Sequence, residues 1–347
     1  MEKKIPHLFI LIKFSFAISL IMLSALSHGD AKAPSFTLVK TGLLPLYDYD
    51  GIKRQDISGA AISGDIVILG DDGGPNAERQ EVRITDITTL LEPATLLKRQ
   101  VKQRDIEGVT ASKDTIYITS SMSQVAEESD DYLVLAEMNI DPSTKKVIAE
   151  RYAYLREPLV NSLRDRFQNQ DWYGRIATSF AKEGGLNIEG LSISHLQKGS
   201  LVFGLRSPLW SVNFGSPKFG SKFSLTQGEA ILMHVKEPFG SPSPQEVMIE
   251  TLNLKGNGIR SIEYIPQLLG GGYIISAGPV EKDSSAFSLW WYQPNKTPVE
   301  LNIEEFKHLC RPESITFDSK SRHLSIISEQ SGDACAKQKY TYIELAY

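Results

Sequence analysis

Asn187-Ile188-Glu189-Gly190-Leu191, followed ten residues later by the apolar run Leu201-Val202-Phe203, is the stretch whose reading decides the fold. A connection that short predicts that the two runs pair as an antiparallel hairpin. The same unit recurs four times. Its openers are Asp56-Ile57-Ser58-Gly59-Ala60, Asp105-Ile106-Glu107-Gly108-Val109, Gly258-Ile259-Arg260-Ser261-Ile262 and Arg311-Pro312-Glu313-Ser314-Ile315. The strands that answer them are Ile66-Val67-Ile68-Leu69, Thr115-Ile116-Tyr117-Ile118, Tyr273-Ile274-Ile275 and Leu324-Ser325-Ile326-Ile327. All-β units repeated at tens of residues indicate a propeller or a solenoid, because no single unit can bury its own apolar face.

A third strand is expected in each unit, at Glu81 to Ile87, Tyr132 to Ile140, Glu229 to Val235, Ala286 to Tyr292 and Lys339 to Leu345. A fourth follows in the first four units only: Ala94 to Arg99, Lys146 to Tyr154, Glu246 to Leu254 and Thr297 to Ile303. The last unit is one strand short, and a spare strand, Phe36 to Lys40, stands at the other end. Pairing that segment into the last unit would remove two exposed edges. The expected fold is therefore an all-β β-propeller of five four-stranded blades; six or seven blades would need units that the sequence does not display.

Two insertions interrupt the spacing. Residues 156–185 place Leu159, Leu163, Phe167 and Trp172 near helical spacing, which predicts a short helical insertion. Residues 207–227 are rich in Gly, Ser, Pro and Phe and predict a long loop, either a binding loop or a plain surface connection.

The chain of 347 residues opens with Lys3 and Lys4, an apolar run from Phe14 to Leu26, and small residues at Ser27, Gly29 and Ala31. That order predicts a signal peptide over residues 1–29 and a single propeller domain over 30–347, exported to the periplasm or the medium. An uncleaved N-terminal anchor is the alternative; no second apolar run reaches spanning length, so no membrane association is expected after cleavage. The formal net charge is −5; residues 1–29 carry +2, leaving −7 for the rest. A mildly acidic chain without basic blocks has no electrostatic footprint for nucleic acid. Cys310 and Cys335 are the only cysteines, and in an exported chain they are expected to pair.

Antiparallel pairing has a consequence for function. The start of a blade's first strand and the end of its second lie at one end of the ring. The third opener position then sets Ser58, Glu107, Glu189, Arg260 and Glu313 around one mouth. The ends of the second strands add Asp71 and Asp72, Ser120 and Ser121, Arg206, Ser276 and Glu329. Glu107, Glu189, Arg206, Arg260, Glu313, Asp71 and Asp72 are accordingly the candidate ligand-binding residues. Glu107, Glu189 and Glu313 are candidate oxygen ligands for a cation such as Ca²⁺. A structural reading stands beside this one: each glutamate could instead latch its strand to backbone amides of the next blade. No Gly-x-Ser-x-Gly, His-Glu-x-x-His or phosphate-cradling glycine loop occurs. The six histidines show no ligand spacing, and Trp290-Trp291 reads as packing between blades.

The segments Asp105-Ile106-Glu107-Gly108, Leu186 to Leu191, Gly204-Leu205-Arg206-Ser207-Pro208, Gly258-Ile259-Arg260 and Ala277-Gly278-Pro279 resemble, in order and spacing, the DUF3616 family over roughly residues 50–330. That family is uncharacterised, so the resemblance implies a propeller and no reaction. More distantly the openers resemble phytase-like esterase propellers, which hydrolyse phosphoesters with bound Ca²⁺; their metal-binding residues do not match one by one here. Three functional expectations follow. The first is a small polar or anionic ligand at one mouth, with Arg206 and Arg260 as anion anchors. The second is a Ca²⁺-dependent phosphoesterase or esterase. The third is a scaffold that binds a protein partner through the insertions.

Overall fold

The computed structural model describes residues 32–43, 57–64, 66–71, 81–86, 97–100, 105–123, 134–141, 143–144, 146–168, 185–210, 228–240, 246–280, 286–329, 335 and 338–347. The signal-peptide segment, Asp72, Trp172 and most of the 207–227 loop lie outside the described residues.

The described chain is a β-propeller built from four-stranded antiparallel sheets, with one α-helix. Strand β1 (Thr37–Gly42) comes first. One sheet then holds β2 (Ile57–Ser63), β3 (Ile66–Asp71), β4 (Glu81–Asp86) and β5 (Leu97–Gln100). The next holds β6 (Ile106–Ser112), β7 (Thr115–Ser120), β8 (Val134–Asp141) and β9 (Lys146–Tyr154). A third holds β10 (Asn187–Ile193), β11 (Leu201–Ser207), β12 (Ala230–Lys236) and β13 (Glu246–Leu252). A fourth holds β14 (Gly258–Ile265), β15 (Gly272–Gly278), β16 (Ser288–Tyr292) and β17 (Val299–Leu301). The last sheet takes β18 (Pro312–Asp318), β19 (His323–Ser328) and β20 (Tyr342–Ala346) from the C-terminus, and β1 pairs antiparallel with β20 as its fourth strand. The spare N-terminal strand thus covers the edge that the chain end would leave open.

The innermost strands are β2, β6, β10, β14 and β18. Each lies against the next around the ring, and β18 lies against β2. All five carry the same irregularity. Register slips between Ile57 and Gly59, Ile106 and Gly108, Ile188 and Gly190, Ile259 and Ser261, and Pro312 and Ser314. The skipped residue is in every case the third opener position: Ser58, Glu107, Glu189, Arg260 or Glu313. A bulge leaves its extra residue outside the ladder and re-aims its side chain.

The residue after the bulge is always small, for a packing reason. A Cβ on Gly108 would stand 2.7 Å from Cβ of Leu191, on the next inner strand, and one on Gly190 would stand 2.9 Å from Cγ2 of Ile262. On two inner strands the position is serine, and its hydroxyl crosses the seam. Ser261 Oγ accepts the Ile315 amide at 3.0 Å, and Ser314 Oγ donates to the Ile57 carbonyl at 3.5 Å. Other seams are crossed by Ser63 Oγ to the Lys113 carbonyl, by the Ile188 amide to the Ser121 carbonyl at 2.8 Å, and by the Tyr264 amide to Ser192 Oγ at 2.9 Å.

Apolar clusters fill the spaces between sheets, and alternation of side chains along each strand sends neighbours to opposite seams. Trp291 belongs to the apolar cluster that holds Leu324, Ile326 and Ile343, while Trp290 belongs to the one that holds Leu232 and Leu252. Helix α1 (Arg156–Phe167) forms the start of the first insertion. Glu157 in its first turn and Arg164 and Arg166 in its last complement the helix dipole, and Leu159, Val160 and Leu163 are buried against the ring. Gln168 ends it in the left-handed region at φ 50°, its amide donating to the Arg164 carbonyl. Phe167 stacks on Trp210 with ring centroids 4.0 Å apart. Cys310 and Cys335 are bonded, with Cα atoms 5.4 Å apart. No helix among the described residues is long and apolar enough to cross a membrane.

Candidate functional site

The five bulges deliver their side chains to one place. Ser58, Glu107, Glu189, Arg260 and Glu313 line a single cavity of about 150 Å³, together with Arg206, Pro279, Phe287, Arg311 and Glu329. Arg206, Pro279 and Glu329 come from the ends of second strands or just past them, as antiparallel pairing requires. The long connections 121–133, 155–186, 208–229 and 329–341 leave from this same end, whereas the hairpins at the other end include turns as short as 113–114 and 319–322.

Inside the cavity an ionic chain runs across three sheets. Arg260 on β14 lies between Glu189 on β10 and Glu313 on β18. Its Nη1 donates to Glu189 Oε1 at 3.2 Å, and its Nη2 pairs with Glu313 Oε1. Its Nε stands 2.8 Å from Glu189 Oε2, at ion-pair distance but off the hydrogen-bond axis. Glu189 Oε1 also receives Arg206 Nη1 at 2.8 Å and Asn187 Nδ2 at 3.2 Å. Arg206 Nε reaches on to the Pro279 carbonyl at 3.3 Å. At the far end Arg311 Nη1 is shared between Glu329 Oε1 and Oε2, both at 3.1 Å. Phe287 covers the Arg260 guanidinium, whose Cζ is 5.6 Å from the ring centre.

Burial pushes the Glu313 carboxyl up; Arg260 opposes the shift, the Glu189 and Glu329 carboxylates add to it, and the result is about 7. Burial works against the Arg260 charge, but Glu189, Glu313 and Glu107 outweigh it and hold the guanidinium above its ordinary value. Behind Glu189, burial raises Asp105, with the Ser121 hydroxyl opposing and Glu189 adding to the rise. Asp105 and Arg311 each precede an inner strand in the left-handed region, at φ 57° and 50°.

Of the residues singled out from sequence, Glu107, Glu189, Arg206, Arg260 and Glu313 are brought together. Asp71 ends β3 opposite Ile57, on the mouth side of its sheet. The serines prove to be fasteners. Ser120 Oγ accepts the Val134 amide and donates to its carbonyl, and Ser276 Oγ donates to the Pro312 carbonyl across a seam at 2.6 Å. Hydroxyls make these backbone links, while Glu189 and Glu313 bond side chains.

Of the three candidate cation ligands, Glu189 and Glu313 have the Arg260 guanidinium between them. Among the described residues no group of three His, Cys, Asp or Glu side chains is placed to hold a metal ion. Arg206 and Arg260, the candidate anion anchors, are both paired with glutamates.

Phe287 and Pro279 join the site without any periodic signal in the sequence. Arg311 carried one, as the first residue of the last opener. Two histidines belong to a separate cluster at the opposite end of the seam between the β10–β13 and β14–β17 sheets. There His234 Nδ1 meets Ser194 Oγ at 2.8 Å, and His195 Nδ1 meets the Tyr273 hydroxyl at 2.9 Å. His234 is buried there and His195 half-buried.

No family model matches this chain. No curated protein matches it either. Several solved structures are similar in fold. Hydrazine synthase from Kuenenia stuttgartiensis is 14% identical over 77% of this chain and 60% of its own, with a TM-score of 0.35. A protein of unknown function from Bacteroides thetaiotaomicron is 10% identical over 84% and 58%, with a TM-score of 0.42. The WD40 repeats of RRP9 are 11% identical over 84% and 79%, with a TM-score of 0.37. The chain thus spans less than two thirds of the first two.

Proposed function

We propose that this protein is an exported five-bladed propeller of the DUF3616 type that binds a small polar or anionic ligand at the mouth. The blade count rests on the five four-stranded sheets and their inner strands, each against the next. Export rests on the N-terminal apolar segment and the bonded cysteine pair. One observation carries the ligand reading: five separate bulges, one per sheet, converge on the same charged cavity. Backbone irregularities kept at a functional rim are the usual means of aiming side chains.

Size limits the ligand. A cavity of about 150 Å³ matches one that holds benzene, so the enclosed part of the ligand has on the order of six to ten heavy atoms. An oligosaccharide or nucleotide could insert only an end group. Calorimetric titration with compact acids, amines and polyols tests the reading, repeated on Arg206→Ala. Binding that the substitution weakens at least tenfold supports the mouth. Binding that it leaves unchanged places the ligand elsewhere and overturns the assignment.

A further inference from the structure

The mouth presents guanidinium groups that are all occupied, yet the two carboxylates sharing Arg260 are held very differently. Glu189 is gripped by Arg206, Arg260 and Asn187. Glu313 has Arg260 as its ionic partner among the described residues, and it is 7% exposed. The charged groups that face the Glu313 carboxyl or share its cavity are Arg260 from β14, Glu189 from β10, Arg206 from β11, Glu107 from β6, Glu329 beyond β19 and Arg311 before β18. Arg311 is chelated by Glu329 and Arg206 by Glu189, so neither is available to neutralise Glu313. Of the two carboxylates on Arg260, Glu313 is therefore the more easily surrendered, and Arg260 is the guanidinium its surrender would free.

We propose that the mouth is a proton-linked oxyanion site, in which the ligand's carboxylate or phosphate takes the place of Glu313 on Arg260 while Glu313 takes up one proton. This deepens the ligand-binding reading of the mouth and rests on it. Charge balances for a monoanion, acetate or dihydrogen phosphate: one negative charge enters the cavity and one is removed, with the proton drawn from solvent, whereas the hydrogen phosphate dianion must take up a second proton. Buried ion pairs cannot tolerate an added uncompensated charge. Arg260 keeps a carboxylate-like partner throughout, with its planar fork suited to either oxyanion. The rise of the Glu313 carboxyl to about 7 puts the exchange within reach of ordinary conditions. Phe287 over the guanidinium shields the pair from water.

The test is calorimetric titration of the intact protein with acetate and, separately, inorganic phosphate, each in two buffers of different ionisation enthalpy near pH 8. Uptake of about one proton per acetate is expected, with affinity rising about tenfold per pH unit as the pH falls toward 7 and levelling below it. Which anion binds more tightly distinguishes the two sources of the oxyanion. In Glu313→Gln, proton uptake on acetate binding should vanish and acetate affinity should become independent of pH. The two-buffer measurement on the unaltered protein decides the matter even if that variant does not fold. Anion binding without proton uptake overturns the proposal. If ethanolamine or glycerol binds at the mouth and neither anion does, the proton-linked proposal falls and the mouth site stands. If none of the four binds, the mouth reading falls with it.

Discussion

Replacing Arg260 by methionine keeps a flexible apolar stem and removes the charge that joins three sheets. Glu313 would lose its ionic partner, and Glu189, 3% exposed, would keep only Arg206 and Asn187. Breaking a buried ion pair by deleting one partner costs about 3–5 kcal/mol, because the other charge stays buried. Here the cost is set against a total stability of about 5–15 kcal/mol for a typical domain. It should also depend on pH. Glu313 stands at about 7 in the folded protein, above its ordinary 4.5, so its contribution is fully present below about pH 4.5 and is lost as pH rises through 7. Without Arg260 the carboxyl is raised further, and the variant should recover part of its loss on acidification, when a neutral Glu313 no longer needs a cation. Urea unfolding of both proteins at about pH 8 and about pH 5.5, followed by tryptophan fluorescence, measures the difference at each. Adding Glu313→Gln to the variant should return about 1–2 kcal/mol at the higher pH by removing the orphaned charge. A loss below about 1 kcal/mol that is equal at both pH values would refute the account of Arg260 as the charge that holds the mouth together.

Glu263 on β14 accepts a hydrogen bond from Ser192 Oγ at 3.2 Å, and burial raises its carboxyl to about 8 against the opposing bonds from Ser192 and the Phe317 amide. Its contribution should be lost as pH rises from about 4.5 through 8, and Glu263→Gln should flatten that limb; parallel urea midpoints for the two proteins across the window would contradict it. Replacing both Cys310 and Cys335 by serine opens a 25-residue link and should lower stability by about 3 kcal/mol; unreduced protein should also weigh two hydrogens less than its sequence, and a full-mass species would remove the disulfide. Gly108→Ala forces a Cβ to 2.7 Å from Leu191 Cβ and should cost about 1–3 kcal/mol in thermal unfolding, whereas an unchanged midpoint would show that the inner strands can part.

Sequence alone determined what is local and periodic. Alternating apolar runs with short connections specified the hairpins, and their repetition specified a ring of sheets. Most strand boundaries fell within a few residues: Lys146 to Tyr154 agrees at both ends, while Thr297 to Ile303 shrinks to Val299–Leu301. The missing strand of the last unit and the spare strand at Phe36 to Lys40 implied their pairing, and β1 against β20 realises it. Antiparallel order also placed the third opener residue at one mouth, since direction along a strand follows from connectivity. Pairing within the mouth depended on distances between sheets, which arise only when the ring closes. Closure sets Arg260 between Glu189 and Glu313, residues 71 and 53 positions away in the chain, and so gives two of the candidate cation ligands a guanidinium partner. It also presses the inner strands together until Gly108 and Gly190 have no room for a Cβ. Phe287 reaches the cavity through the same closure, a contact that no spacing along the chain encodes.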